Sequence, residues 1–244
     1  MRRISWWRIL LAGAATVVVG TKVATALKSR TKTIDASAER DETERVRRIY
    51  DKAANHYDRA IGLMEKFLLG GGRRWVCSQS HGDVLEIAIG TGRNLPYYPS
   101  SVSLTGIDLS PDMLAIARHR AEESGRNVAL HVGDAQALGF PDGQFDTVVS
   151  TLSLCTIPDE RRAVAEVRRV LRPGGRFLML EHVRSPVLPA RTVQRMLDPL
   201  VVRLQADHLL REPLQPLRAE GFEIERIERS KWGIIERVSA RKPA

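Results

Sequence analysis

Two acidic residues and a pair of glycines have the types and spacing needed to bind a nucleoside. An apolar run that contains Glu86 passes into a turn with Gly90 and Gly92, and a second apolar run reaches Asp108. Glycines after a strand let the backbone approach a ligand closely, because no Cβ intervenes. A carboxylate at the end of the next strand can accept two hydrogen bonds from a ribose diol. These residues predict the nucleotide-binding half of an α/β fold.

The glycine spacing indicates which class of nucleotide binds, a dinucleotide or a nucleoside without phosphates. A dinucleotide fold carries G-x-G-x-x-G, and the helix that follows binds a pyrophosphate at its N-terminus. Here the glycines end at Gly92, and Asn94 begins the next turn. We therefore expect a nucleoside without phosphates, and a NAD-binding dehydrogenase is a disfavoured alternative.

The elements that position these residues alternate at the spacing of βαβ units. Strands are predicted at 83–89, 104–109, 128–132, 145–150 and 176–181, and helices at 111–125 and 159–171. After two more predicted helices, at 188–210 and 213–220, the runs 222–228 and 233–241 alternate as two adjacent strands. The pattern predicts a doubly wound, mostly parallel seven-stranded sheet that ends in an antiparallel hairpin.

The first 30 residues have a separate composition and predict an apolar N-terminal helix. Trp6 and Trp7 precede a mostly apolar run over 9–21, which Lys22 interrupts. The run is shorter than the roughly 20 residues of a membrane span, so a short span, an interfacial helix and a cleaved signal segment stay open. We predict residues 1–30 as a membrane anchor or signal-like segment, residues 31–45 as a linker or the beginning of a helix, and residues 46–244 as the folded domain.

Charge and cysteine content narrow the partners. The 244 residues carry a formal net charge of +9, which favours anionic surfaces such as lipid or nucleic acid. Cys77 and Cys155 lie far apart without a histidine at ligand spacing, so we predict neither a metal site nor a disulfide. With an apolar leader, a membrane surface explains the charge more simply than RNA. We expect membrane association with the domain facing the cytoplasm, and the oligomeric state stays open.

Four motifs follow one another in the chain: E-I-A-I-G-T-G from Glu86, then Asp108, then G-D-A at 133–135, and L-R-P-G-G at 171–175. In this order they resemble the class I S-adenosylmethionine-dependent methyltransferases with a methyltransferase type 11 domain. The run Y-D-K-A-A-N-H-Y-D at 50–58 resembles quinone-biosynthesis and phosphatidylethanolamine methyltransferases. The stretches 151–155, 181–183 and 197–199 are similar to the membrane-anchored methyltransferase-like seven group, which methylates small thiols.

The resemblance implies a Rossmann-like methyltransferase fold and S-adenosylmethionine as the cofactor. It implies that Glu86 reaches the cofactor's ammonium group, Asp108 the ribose and Asp134 the adenine amino group. The cofactor-binding residues that it implies are Glu86, Ala88, Gly90, Gly92, Asp108, Leu109, Met113, Asp134, Ala135 and Thr151. Tyr50 and Tyr57 would cover the pocket as a lid. Many relatives carry glycine where this chain has Ala88.

Methyl transfer from a sulfonium depends mainly on alignment and desolvation, and needs a base only for a protonated nucleophile. Glu181, His182 and His208 are candidates for that base or for substrate contact, although a strand-end or surface role is favoured for each. The acceptor atom stays open: oxygen or carbon of a quinone-like ring, nitrogen of a lipid headgroup, or sulfur of a thiol. Two alternatives are a non-catalytic S-adenosylmethionine-binding protein and an RNA-directed methyltransferase. The latter is disfavoured because T-L-S-L at 151–154 replaces the expected Asn/Asp-Pro-Pro-aromatic motif.

Overall fold

The computed structural model describes residues 37–38, 40–62, 65 and 67–244. The chain divides into two compact units, residues 1–44 and residues 45–244. In the first unit the described residues are helical, so the predicted linker is helical where it is described. The predicted anchor over residues 1–30 lies outside the described residues. Among the described helices, none combines the length and the apolar character that crossing a membrane requires.

A seven-stranded sheet forms the centre of the described part of residues 45–244. Its strands are β1 Asp83–Ile87, β2 Ser103–Asp108, β3 Val128–Val132, β4 Phe145–Thr151, β5 Leu171–His182, β6 Glu223–Ser230 and β7 Ile235–Arg241. The order is β3-β2-β1-β4-β5-β7-β6. Strands β1 to β5 are parallel, whereas β7 is antiparallel to both β5 and β6. This confirms the predicted sheet and its closing hairpin.

Six helices are labelled here in chain order. In residues 45–244, α1 comprises the helical residues 45–62. The others are α2 Gly72–Cys77, α3 Pro111–Glu123, α4 Glu160–Val170, α5 Leu188–Gln205 and α6 Leu214–Ala219. The side chains of Ser110 and Asp159 cap α3 and α4 by accepting from backbone N–H groups in the first turn. Helix α5 ends earlier than predicted because Ala206 adopts a left-handed conformation, with φ 54°.

Strand β5 begins earlier than the sequence predicts. The Pro-Gly-Gly run at 173–175 was expected to separate a helix from a strand, yet Leu171 already pairs with Phe145. The register then shifts, and Arg176 pairs with Thr147. An added Cβ at Gly175 would lie 2.9 Å from the Arg172 carbonyl oxygen. The run therefore forms an irregularity inside the strand. At position 175 only glycine fits.

Apolar side chains cover both faces of the sheet. One cluster includes Val148 and Val164, and the other includes Val149 and Leu114. Val148 and Val149 are neighbours in β4 and point to opposite faces, as alternate strand residues must. Strands buried on both faces read as continuous apolar runs, which is why the central strands are recognisable from sequence. Because β2 and β4 flank β1 on opposite sides, the strand order reverses there, and a ligand crevice is expected at the carboxyl ends of these strands.

Candidate functional site

A cavity lies at that position, where small-molecule sites of open α/β sheets are expected. Its walls come from α1, the turn after β1, the end of β2 with the start of α3, and the turns after β3 and β4. The predicted residues in its lining are Tyr50, Tyr57, Glu86, Ala88, Gly90, Asp108, Leu109, Met113, Asp134, Ala135 and Thr151. The fold thus brings these predicted cofactor and lid residues together around one space.

Gly92 was also predicted to contact the cofactor, but it lies outside the lining of this cavity. An added Cβ there would lie 2.9 Å from Leu95 Cδ1 and 3.3 Å from Ala117 Cα. Its φ is 76°, a conformation that favours glycine. Gly92 therefore serves the close packing of the turn against α3. At Gly90, by contrast, an added Cβ would meet no atom within 4 Å, so the space beside that glycine is open to a ligand.

Glu86 is buried near the end of β1 and is held by two hydrogen bonds. Its Oε1 accepts from Asn94 Nδ2 (2.7 Å), and its Oε2 accepts from the Tyr98 hydroxyl (2.9 Å). Burial raises the pKa of the Glu86 carboxyl to about 7, although both hydrogen bonds favour the ionised form. A cation that enters the cavity would stabilise the ionised form of this buried carboxyl.

Asp108 ends β2 and fastens the glycine turn to it. Its Oδ2 accepts from Gly90 N (2.8 Å), and its Oδ1 accepts from Ser110 N (2.9 Å). Burial raises the pKa of Asp108 to about 6, against the effect of these backbone hydrogen bonds. Each carboxylate oxygen can accept more than one hydrogen bond. Asp108 is therefore fixed in orientation and still able to accept from a diol.

Asn94 is a buried residue of the site that the sequence did not single out. Its Nδ2 donates to Glu86 Oε1 and to Thr151 Oγ1 (2.9 Å), and its Oδ1 accepts from Arg73 Nη1 (2.8 Å). It thereby joins the ends of β1 and β4 beneath the cavity. The sequence places Asn94 just after the glycine turn. From that position alone it is recognisable only as the start of another turn.

Two non-glycine residues at the cavity have left-handed backbones. Ala88 has φ 49° and Leu152 has φ 53°, and both line the cavity at the turns after β1 and β4. This conformation costs an L-residue roughly 1–2 kcal/mol. It gives a physical reason for the glycine that the family resemblance leads us to expect at position 88. Backbone strain of this kind is concentrated at functional sites.

Helix α1 presents two aromatic rings to the cavity. Tyr50 and Tyr57 have ring centroids 6.3 Å apart and an interplanar angle of 63°. Burial raises the pKa of both hydroxyl groups. Both side chains therefore stay neutral at physiological pH.

The aspartate that follows each tyrosine attaches α1 to the rest of the domain. Asp51 Oδ1 accepts from Ser110 Oγ (2.6 Å). Asp58 Oδ1 accepts from Thr91 Oγ1 (2.6 Å), and its other oxygen pairs with Arg120. The tyrosines were predicted from the sequence as site residues, and the aspartates were not. The signal was the repeated Tyr-Asp pair, because residues seven apart share one face of a helix.

Two arginines of the cavity wall are paired with one carboxylate. Arg73 Nε donates to Glu65 Oε1 (2.8 Å), and Arg93 Nε donates to Glu65 Oε2 (3.0 Å). Burial opposes ionisation of Glu65, but the hydrogen bonds from Arg93 and Arg73 outweigh it and lower its pKa. These arginines are thereby fixed at the rim of the cavity.

Glu181, a predicted candidate for a base, is fully buried in β5 outside the cavity lining. Its Oε1 accepts from Ser150 Oγ (2.9 Å), Ser153 N (2.9 Å) and Leu154 N (3.0 Å). Glu181 therefore holds the turn after β4 in place. Because Ser153 lines the cavity, Glu181 shapes the wall without touching its interior.

His182 and His208, the other candidates, also lie outside the lining of this cavity. His182 Nε2 donates to Asp207 Oδ1 (2.8 Å), and the Cys155 thiol is hydrogen-bonded to the same carboxylate. His208 lines a separate cleft with Asp198. None of the three predicted candidates for a base reaches the cavity directly.

One ligand atom from each of Cys155, His182 and Asp207 lies within 4.8 Å of the other two. These residues show no metal-ligand spacing in the sequence, because they are far apart in the chain. Burial raises the pKa of the Cys155 thiol well above its usual range. The set is a hydrogen-bonded link between the end of β5, the turn after β4 and the segment after α5.

Known proteins to which this chain is similar in sequence are named as methyltransferases. Residues 85–179 match the family described as a methyltransferase domain. The chain is 42% identical over 118 residues to a phosphatidylethanolamine N-methyltransferase of Cereibacter sphaeroides, which covers 48% of this chain and 58% of the relative. It is 31% identical over 160 residues to a ubiquinone/menaquinone biosynthesis C-methyltransferase of Geobacter sp. (strain M21), which covers 60% of this chain and 66% of the relative. The match thus spans less than two thirds of either relative.

Solved structures share the fold. A S-adenosylmethionine-dependent methyltransferase of Thermotoga maritima superposes with a TM-score of 0.62 at 22% identity, over 80% of this chain and 99% of that one. At this identity the likeness concerns the fold alone.

Proposed function

We propose that the chain is an S-adenosylmethionine-dependent methyltransferase and that it methylates a small lipophilic or lipid acceptor at a membrane surface. The observation that carries the proposal is the pair Glu86 and Asp108. Both carboxyl groups are buried and oriented by hydrogen bonds. Both line the same cavity, beside the open space at Gly90. This arrangement suits a ligand with a cation at one end and a ribose near its middle.

The residues of the cavity fit S-adenosylmethionine group by group. Glu86 would bind its ammonium group, and Asp108 would accept from its ribose hydroxyls. Asp134 and the backbone of Ala135 would bind the adenine, beside the apolar side chain of Met113. When bound, the cofactor supplies an activated methyl group on a sulfonium. The chain itself then has to orient the two reactants and keep water away from them.

The wall contributed by α1 and the turn after β4 suits an apolar acceptor. Tyr50, Tyr57, Leu152 and Ile157 line it together, and such a wall excludes water from a reacting group. The names of the two relatives, a phosphatidylethanolamine and a quinone methyltransferase, support an acceptor with a lipophilic part. A thiol on an apolar molecule fits the same wall.

The test is transfer of a labelled methyl group by the full chain. A membrane extract, a panel of small thiols and purified RNA are each incubated with labelled S-adenosylmethionine, and the labelled product is identified. We expect the label in a lipid, a quinone-like compound or a thiol, and not with the Asp108→Ala variant. Label confined to RNA would overturn the acceptor class. Cofactor binding without transfer to any acceptor would point to a non-catalytic binding protein.

Membrane attachment through residues 1–30, with the catalytic domain on the cytoplasmic side, is a separate part of the proposal. The apolar run and the two tryptophans of this segment support it. Deletion of residues 1–30 is expected to weaken membrane association while cofactor affinity is retained. Loss of cofactor affinity as well would show that the segment belongs to the fold.

A further inference from the structure

Helix α5 is attached to the domain by its polar face. Within α5, which the structure describes throughout, Gln194 is the buried side chain. Its Oε1 accepts from Ser185 N (2.8 Å), and its Nε2 donates to the carbonyl oxygens of Val183 (2.9 Å) and Leu209 (3.0 Å). One turn later, Asp198 Oδ1 accepts from Leu209 N (2.7 Å). An ordinary surface helix buries an apolar stripe instead.

The outward face of α5 is apolar. Val193, Leu197, Leu200 and Leu204 follow one another at helical spacing, and Met196 lies beside them. Their exposed fractions are 54%, 46%, 55%, 60% and 76%. We call these five residues the α5 stripe. Single exposed leucines are common, but a continuous row along one helix indicates a binding surface.

A basic and an aromatic side chain lie near the α5 stripe. Arg203 is exposed and lies seven residues after Met196, on the same side of the helix, and within the described residues its side chain forms no ion pair with a carboxylate. Beside the start of α5, the Trp232 carbonyl accepts from Ser185 Oγ (2.6 Å), while the Trp232 side chain is 74% exposed. Apolar residues flanked by arginine and tryptophan are typical of a helix that lies in a bilayer interface.

We propose that the α5 stripe lies in the headgroup region of an anionic bilayer, with Arg203 on a lipid phosphate and Trp232 at the interface. Arg203 and the formal net charge of +9 favour an anionic lipid surface over a second copy of this chain, which carries the same charge. The inference concerns the binding surface and does not depend on methyl transfer.

The position of α5 connects this surface to the cavity. Arg45 at the start of α1 donates to the Val202 carbonyl oxygen (2.6 Å) near the end of α5. The next two residues of α1, Val46 and Arg47, line the cavity. A bilayer on the α5 stripe would therefore lie near the wall of the cavity contributed by α1, where a lipophilic acceptor could enter from the lipid.

The test places an environment-sensitive fluorophore on the full chain at Leu200→Cys. The two native cysteines are buried, so labelling is directed to the new thiol. With vesicles of phosphatidylglycerol and phosphatidylcholine, we expect a blue-shifted emission that a lipid-borne quencher reduces, and a weaker shift with phosphatidylcholine alone. The matched control, Glu122→Cys on α3, should show no shift, because Glu122 lies on the exposed surface of another helix.

Each other outcome of this experiment overturns the proposal. Vesicle binding without a shift at position 200 would mean that another segment makes the contact. A shift that grows with protein concentration in the absence of vesicles would identify a second copy as the occupant of the stripe.

A paired substitution separates docking from folding and from catalysis. Leu197→Asp with Leu200→Asp should weaken vesicle binding about tenfold and leave the melting temperature unchanged, since both side chains are exposed. Transfer to an acceptor dissolved in detergent should stay at the wild-type rate. A fall in melting temperature, or unchanged vesicle binding, would contradict the proposal. Absence of transfer in the wild type would affect the proposed function alone.

Discussion

The two halves of the cavity are constructed in different ways. The half at β1 and β2 consists of the motif that contains Glu86 and Gly90 together with the strand end at Asp108, and hydrogen bonds fix all three. The other half is assembled from α1 and residues 151–158, which lie far apart in the chain. The locally encoded half follows from one motif and its spacing, whereas in the assembled half Tyr50, Tyr57 and Thr151 could be predicted only through the family resemblance. The difference explains why the cofactor is better defined than its methyl acceptor.

The largest effect is expected for Asp108→Ala, in the locally encoded half. The change removes a charged acceptor for the ribose and leaves the Gly90 and Ser110 amides without their partner. We expect the affinity for S-adenosylmethionine to fall about 100-fold, as measured by calorimetry. Asp112→Ala is the matched control, because Asp112 is exposed in the first turn of α3, the helix that follows β2. An unchanged affinity in Asp108→Ala would contradict the assignment.

The next effect uses the titration of Glu86, whose pKa is about 7. Below that pH the carboxyl is protonated and attracts an ammonium group weakly, so the affinity for S-adenosylmethionine should rise from pH 6 to pH 8. Glu86→Gln should bind about tenfold more weakly at pH 8 and lose this pH dependence. A variant that keeps the wild-type pH profile would rule out Glu86 as its cause.

The same carboxyl links stability to pH in the ligand-free protein. Its folded-state pKa lies above the ordinary 4.5, so the folded protein holds this proton more tightly than the unfolded chain. Its contribution is complete below about pH 4.5 and is lost as the pH rises through about 7, with an upper size of about 3 kcal/mol. Urea unfolding at pH 5 and pH 8 should show this loss in the wild type and a smaller one in Glu86→Gln. Equal losses in both proteins would contradict it.

In the assembled half, Asp58→Ala should affect the acceptor more than the cofactor. Removing the bonds to Thr91 and Arg120 loosens the helix that carries Tyr57. We expect kcat/KM for the acceptor to fall about tenfold, while the affinity for S-adenosylmethionine changes much less. Asp58→Asn keeps a hydrogen-bond acceptor and should recover part of the rate. Equal losses for acceptor and cofactor would show that the halves are not independent.

The smallest effect concerns backbone strain at Ala88, where φ is 49°. Ala88→Gly should raise the free energy of unfolding by about 1 kcal/mol with cofactor affinity retained. Ala163→Gly is the control with the opposite sign, because Ala163 is buried inside α4 and glycine destabilises a helix interior. Chemical denaturation measures both. A loss of stability in Ala88→Gly would mean that the left-handed backbone costs nothing here.

The contrast between locally encoded and assembled parts of the molecule explains which residues could be predicted from the sequence. Glu86, Gly90 and Asp108 could be located because each follows from a strand, a turn and a spacing. Asn94 and Asp207 could not, since their roles depend on the side chains that the fold brings beside them. The outward apolar face of α5 likewise could not be predicted from the sequence. Its periodicity predicts a helix, but which face points inward depends on bonds that Gln194 makes with distant backbone.

The most direct test of the central claim is equilibrium binding of S-adenosylmethionine and of NAD to the full chain. The geometry at Glu86 and Asp108 predicts one S-adenosylmethionine per chain, about 100-fold weaker binding in Asp108→Ala, and no displacement by NAD. Equal binding of NAD, or S-adenosylmethionine binding that Asp108→Ala leaves unchanged, would contradict the assignment of this cavity.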